Sequence, residues 1–352
     1  MKACTGTSSN VNSRHCTAGL LLLLLASISG TAYAQARVAP APESSWPSVL
    51  DSARKEGRVV LYSQQVPQQI AQIKADFEKA FPGITLEAAR LTGTAANIKL
   101  DQERAAGVDG GDILITGEVV WLADRAKEGG LRKPIGPAAQ SWPAKYLLHE
   151  AIPVLGLDLF VIAYNTNLIK TPVSGYQDLL RPEFKGRLGT TEVQAIAIVA
   201  FYEWLEKTQG GDFLARLAAQ GPRIYTGAVP NAQATASGEV AATTFSVSAV
   251  LKPLIENGAP MRIVVPQPGL GLRYGAGIIA GSRRPNASQV LLDYLMSPRG
   301  QTAWHSQGIS ASPLPNIPGS QDASSIQAFD PAVYDKDSVS NYKRKWDLLF
   351  RR

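Results

Sequence analysis

Cysteine is the scarcest chemistry in this 352-residue chain, and both examples, Cys4 and Cys16, stand ahead of residue 35. The body of the chain is therefore without disulfides, thiol nucleophiles or cysteine-ligated metals. Histidine is nearly as rare: His15 lies in the same leader, and only His149 and His305 remain, more than a hundred positions apart. Two separated histidines make a poor metal or acid–base cluster. No second histidine follows His149-Glu150 at helical spacing, which excludes a zinc-protease motif. No G-x-S-x-G elbow is present, and the serine-rich stretches have no partnered histidine. The one strongly apolar run, AGLLLLLLASISG, falls short of the about 20 residues that cross a bilayer. Charged residues are 18% of the chain and hydrophobic ones 45%, as in a soluble protein with a large core.

What is present at the N-terminus reads as a secretory signal. Lys2 and Arg14 make a basic region with no acid nearby; the apolar run and then Ala32-Tyr33-Ala34, a small-x-small cleavage site, follow. Cleavage after Ala34 would make Gln35 the first mature residue and place the protein in the periplasm. No cysteine follows the apolar run, which argues against a lipid anchor. The mature chain would keep 33 basic and 29 acidic residues, a net charge of +4. That balance does not call for nucleic acid, and it would not hinder capture of an anion. Residues 35–55, with APAPESSWPSV, read as a flexible Pro/Ser-rich lead-in.

From residue 56 strand and helix patterns alternate. RVVLYS is a short apolar strand. PQQIAQIKADFEKAFPG has Ile70, Ile73, Phe77 and Phe81 at helical spacing and a Pro-Gly stop. ITLEAARL and GDILITGE read as further strands, NIKLDQERAAG and VVWLADRAKEGG as helices. Such series predict an α/β fold of parallel sheets with right-handed crossovers. AIPVLGLDLFVIAYNTNLI (151–169) is too long for an ordinary strand and reads as a crossing between domains. GRLGTTEV, RIYTG and GAPMRIVVPQPG read as later strands. Ser297-Pro298 reads as the cap and first turn of a late helix. GAGIIAG (275–281) fits a dinucleotide fingerprint only in outline, because no helix begins on it; small residues for close packing explain it better.

Ligands of open parallel sheets sit outside the carboxyl ends of the strands. Here those ends carry Ser, Thr, Gly, Gln and Asn, a set suited to hydrogen bonding more than to bond breaking. LTGTAAN (91–97) has two readings: Thr94 merely caps the next helix, or Thr92, Gly93 and Thr94 form an oxyanion pocket with the free amides of the helix start.

The order of EGRVVLYS, FEKAFPGI, QERAAGVDGGDILITGE, VIAYNTNLI, GYQDLLRPEFKGRLG, ASGEVAA, ENGAP and LDYLMSPRGQ resembles the periplasmic solute-binding proteins of ABC importers, in the branch that contains ferric-ion-binding proteins. The resemblance spans roughly Glu56 to Gln301. It implies a type II two-lobe periplasmic-binding-protein fold, each lobe a mostly parallel sheet flanked by helices, with one ligand enclosed between them. Lobe 1 would comprise residues 56–155 and 272–310, lobe 2 residues 156–271, with 311–352 packing on either. Ferric binders of that branch use an adjacent tyrosine pair. The matching stretch, EVAATTFSVSAV (239–250), has Phe245 and no tyrosine, and no histidine follows the first strand.

The remaining polar set favours a small organic anion: a carboxylate, phosphonate or phosphate ester. Thr92, Gly93 and Thr94 would hold its acid group with Ser63 and Gln64. Thr190, Thr191 and Ser246 would donate from lobe 2, and Asn231 would offer an amide from a helix start. Arg273 would make a charged contact, Tyr274 would cover an apolar part, and Glu118 would meet a ligand hydroxyl or amine, or latch the lobes. The expected protein is a monomer without catalytic residues, metal or cofactor. Its partners would be the ligand and an inner-membrane ABC permease with its ATPase. Ferric iron or an iron chelate is the alternative cargo, with Tyr62, Tyr225 or Tyr274 as ligands, and a secreted hydrolase on a similar scaffold is the weaker alternative.

Overall fold

Hydrophobic spacing sets the first element of the computed structural model, which describes residues 45–352 apart from residues 92, 307–309, 336 and 352. Val49 and Ala53 fall one turn apart and are buried, so Trp46–Glu56 is a helix, α1, packed on a later helix. The stretch read from sequence as lead-in, residues 35–55, is thus helical from Trp46 onward. Pro47 sits in the first turn, where proline is tolerated. The signal-peptide reading lies outside the described residues.

The chain continues through β1 (Arg58–Ser63), α2 (Pro67–Ala80), β2 (Thr85–Arg90), α3 (Gly93–Ala106), β3 (Ile113–Thr116) and α4 (Val119–Lys127). Short pieces follow, β4 (Leu131–Arg132), α5 (Pro137–Gln140) and β5 (Leu147–Leu148), and then the long β6 (Ile152–Asn165). Next come β7 (Leu188–Thr191), α6 (Ile196–Gln209), α7 (Phe213–Ala219), β8 (Arg223–Tyr225), α8 (Ala228–Ser237), β9 (Ala242–Val247), α9 (Ser248–Glu256) and β10 (Met261–Val264). The chain closes with β11 (Gly269–Ile279), α10 (Pro285–Met296), α11 (Pro298–His305), β12 (Ser310–Ser312), β13 (Gln321–Asp322), β14 (Ile326–Ala328) and α12 (Ser338–Phe350).

The main strand order is β2-β1-β3-β11-β6-β9-β7-β8. β1 runs parallel to β2 and β3, and β7 runs parallel to β8 and β9. Two parallel sets therefore flank an antiparallel centre made by β11 and β6. β6 serves both sides. Its residues Val154 to Leu159 pair with β11, and Phe160 to Tyr164 pair with β9. This handover explains the run too long for one sheet.

Each half has its own apolar core. Ile73, Phe77, Val290 and Trp304 belong to one; Phe160, Phe201, Tyr202 and Phe245 belong to the other. α12 packs on α6 and α7, and its fully buried Trp346 joins the second core beside Tyr202. The G-x-G-x-x-A match lies in β11 and the turn that ends it. Side-chain carbons at Gly275 and Gly277 would stand 2.9 Å from Ile152 and from Leu122, so these glycines serve close packing. Ser297 caps α11 by accepting a hydrogen bond from the Gly300 amide.

Candidate functional site

Three residues expected at the site from lobe 1 converge. A side-chain carbon on Gly93 would lie 2.5 Å from Glu118 Cγ and 2.6 Å from Gln64 Nε2, so a larger residue there would displace both side chains. The Gln64 amide oxygen is already committed. It accepts from Thr116 Oγ1 at 2.9 Å and from the Gly117 amide at 2.5 Å, which leaves its NH2 group turned toward Gly93. Ser63 is buried, and its hydroxyl accepts from the Gln65 amide at 3.1 Å. It braces the turn after β1. The helix read as starting at Asn97 begins at Gly93, which makes Thr94 an exposed second residue of α3. Thr92 lies outside the described residues.

In lobe 2 the expected donors divide. Thr190 is buried, and its hydroxyl joins Tyr202 Oη and Thr244 Oγ1, each at 2.8 Å. That network is internal to the lobe. Thr191 Oγ1, Ser246 Oγ and both side-chain polar atoms of Asn231 are buried without a protein partner. Such groups are uncommon, because an unmet polar atom in a protein interior costs about 1–3 kcal/mol. Asn231 does not start its helix. α8 starts at Ala228 after Gly227, and Asn231 sits a turn in, pressed on β7 where Gly189 leaves room.

The crossing strands sort the last two expected residues. Leu272 pairs with Asp158, Arg273 with Leu157 and Tyr274 with Gly156. Directly paired residues share a sheet face and neighbours alternate. Tyr274 and Asp158 therefore lie on one face, and Arg273 on the other with Leu157. Burial, with Asp158 and Glu118 nearby, pushes the Tyr274 phenol above its ordinary range, while Arg90 works in the opposite direction. Arg90 also donates from Nε to the Gln65 carbonyl at 3.1 Å. The cation on the Tyr274 face is thus Arg90, which ends β2 and which the sequence reading passed over.

A cavity of about 400 Å³ opens beside these residues. Its wall includes Gln65, the first turns of α2 and α9, Asp158, Trp304 and Ser310, and none of the twelve residues expected from sequence. Burial pushes the Asp158 carboxyl up to about 7. Tyr62 and Tyr225 are engaged elsewhere, donating to Glu103 at 2.7 Å and to Glu239 at 2.9 Å. Among the described residues no three His, Cys, Asp or Glu side chains are grouped as a metal site.

Comparison with known proteins adds three findings. A family model described as bacterial extracellular solute-binding protein matches residues 59–310. An uncharacterized protein of Haemophilus influenzae is 28% identical over 182 residues, 49% of this chain and 50% of that relative. The match thus spans about half the length of that relative. Among solved structures, the substrate-binding protein of an ABC transporter from Agrobacterium tumefaciens superposes with a TM-score of 0.65 at 16% identity, over 85% of this chain and 97% of that one. Iron-bound HitA from Pseudomonas aeruginosa gives 0.63 at 20%, over 82% and 99%. AfuA from Actinobacillus pleuropneumoniae, with fructose-6-phosphate bound, gives 0.56 at 18%, over 84% and 99%. The fold is the type II periplasmic-binding-protein fold, two α/β lobes around a cleft.

Proposed function

Because the chain belongs to the bacterial extracellular solute-binding proteins, we propose that it captures a small organic anion in the periplasm and delivers it to an inner-membrane ABC permease. The observation that carries the reading is the set of buried, unpartnered polar side chains of lobe 2: Thr191 and Ser246 near strand ends and Asn231 in α8. Polar atoms kept dry without protein partners are supplied with partners when a ligand enters. Across the cleft, Gly93, Gln64 and Arg90 offer a close backbone approach, an amide and a positive charge. These residues suit a carboxylate, phosphonate or phosphate ester. Affinity then comes from hydrogen bonds and exclusion of water as the lobes close.

The family and the fold are those of transport binding proteins rather than enzymes. No helix among the described residues is long and apolar enough to cross a membrane. Residues 1–34 serve in this reading as the export signal, cleaved after Ala34, and the mature protein works as a monomer.

One observation favours a second cargo. Tyr274 stands with Asp158 and Glu118, three hard oxygen groups of the kind ferric iron prefers, and HitA is a structural neighbour with iron bound. Iron would have to pull a proton from a phenol whose surroundings hold it. Native mass spectrometry with metal analysis of the purified protein separates the two. An organic adduct without iron supports the anion, and stoichiometric iron overturns it in favour of Tyr274.

A further inference from the structure

The strand end that offers Thr191 is held from behind. Tyr202 of α6 is fully buried, and burial pushes its phenol above the ordinary range, so it keeps its proton. That single proton goes to the Thr191 carbonyl, which can only accept, at 2.6 Å. The Thr190 hydroxyl, 2.8 Å away, must then donate to the Tyr202 oxygen. Its own oxygen is left to accept from Thr244 Oγ1, also at 2.8 Å. The chain of bonds therefore runs one way, from Thr244 to Thr190 to Tyr202 to the Thr191 backbone. It joins β9 to β7, the two strands that carry the unpartnered hydroxyls of Ser246 and Thr191.

The ring of Tyr202 is in turn fixed by α12. Trp346 lies 5.8 Å from it and Phe350 5.9 Å, centre to centre, and Tyr342 stacks at 6.4 Å with 16° between the planes. A second link comes from the end of the helix. Arg351 forms an ion pair with Glu192, the residue that follows β7, and another with Asp347 at 3.0 Å. The Glu192 amide donates to the Tyr225 carbonyl at 3.0 Å, so the same residue also ties β7 to the end of β8. α12 thus reaches residues 191 and 192 by two routes, one aromatic and buried, the other charged and partly exposed. It lies past residue 310, where the stretch matched by the family model ends.

We propose that α12 is a brace for the ligand site: it sets the end of β7 from which Thr191 meets the ligand, and Tyr202 and Arg351 are its positioning residues. Each acts through the strand end and not on the ligand itself. This rests on the reading of Thr191 as a ligand donor and adds the element that holds it. Fixing a donor before the ligand arrives removes an ordering cost from binding. By linkage, a bound ligand tightens the strand end in return.

The test is hydrogen exchange read by mass spectrometry on the purified protein, beside native mass spectrometry of the same samples. In Arg351→Ala the amides of residues 188–194 should exchange about three-fold faster, the scale of one partly exposed ion pair, with the melting temperature and the amides of β1 to β3 unchanged. Arg351→Lys, which keeps the charge, should restore them. Tyr202→Phe keeps the ring against α12 and loses the phenol proton, and there the same amides should exchange about ten-fold faster. An organic adduct on the unaltered protein should be kept by Arg351→Lys and retained at least three-fold less by the other two variants. Unchanged exchange at 188–194 in both Arg351→Ala and Tyr202→Phe overturns the brace. Equal loosening throughout lobe 2 in Arg351→Ala, or an adduct held equally by all variants, overturns it too. Iron retained in place of an organic adduct overturns the anion reading and not the brace, which exchange decides.

Discussion

The Trp304 indole rests against Gly156, its Nε1 2.8 Å from where a side-chain carbon would stand. Gly156 lies inside the strand that both sheets share, where a residue without a side chain ordinarily weakens pairing. The close approach of the ring is the reason for it. Gly156→Ala is expected to cost about 1–3 kcal/mol by forcing the ring or strand aside. Chemical denaturation should show a lower midpoint with an unchanged slope. A midpoint equal to that of the unaltered protein would mean that the ring has room to move.

Two buried groups tilt stability with pH in opposite directions. Asp158 titrates near 7 in the folded chain instead of 3.8, so the folded state holds the extra proton and stability falls as pH rises between those values. His305 is the reverse. Burial presses it down to about 4, so the unfolded state holds the extra proton from pH 4 to 6.5 and stability rises across that window. In the unaltered protein the two trends offset each other. Asp158→Asn should melt several degrees higher at pH 8 and no higher at pH 3.5, and its melting temperature should drop steadily from pH 7 to 5. Melting followed by circular dichroism across pH reads both, and a flat difference between the proteins would contradict the assignment.

The unpartnered hydroxyls of lobe 2 give a prediction with two readouts. Removing a buried polar atom that has no partner is close to neutral for the fold, within about 1 kcal/mol in either direction. Ser246→Ala and Thr191→Val should therefore melt as the unaltered protein does or slightly higher. If the hydroxyls serve the ligand, the same changes should weaken binding of the adduct found by mass spectrometry about ten-fold. Loss of stability with unchanged affinity would make them structural. Thr190→Val is the contrast, since its hydroxyl holds Tyr202 and Thr244 and its loss should lower the melting temperature.

The alternation of strand and helix was plain in the sequence because apolar spacing reports directly on which face is buried. RVVLYS, ITLEAARL and GDILITGE became β1, β2 and β3, and the crossing run became β6. α1 was obscured because prolines upstream dominate the composition of its region, while its buried stripe rests on only a few residues. The cavity was harder to read. Helix ends without caps leave no mark in a sequence beyond an unremarkable valine, and amides carry no residue identity. Asp158 did leave a signal: it is the sole charged residue of the 151–169 run. An acid inside an apolar strand has to be compensated or used. Arg273 and Tyr274 are adjacent in sequence and tempting as a pair, but the pleat of β11 sends them to opposite faces.

A single strand passes from one sheet to the other between Leu159 and Phe160. A turn of one half against the other would bend the peptide units there and at residues 265–268, where the chain crosses back, as about an axle. Points near an axle travel little while the rims sweep far. Asp158 is next to it, whereas Gly93 and Ser246 stand out on the two halves. Surroundings beside Asp158 therefore change little with such a turn, and the distance between Gly93 and Ser246 changes most.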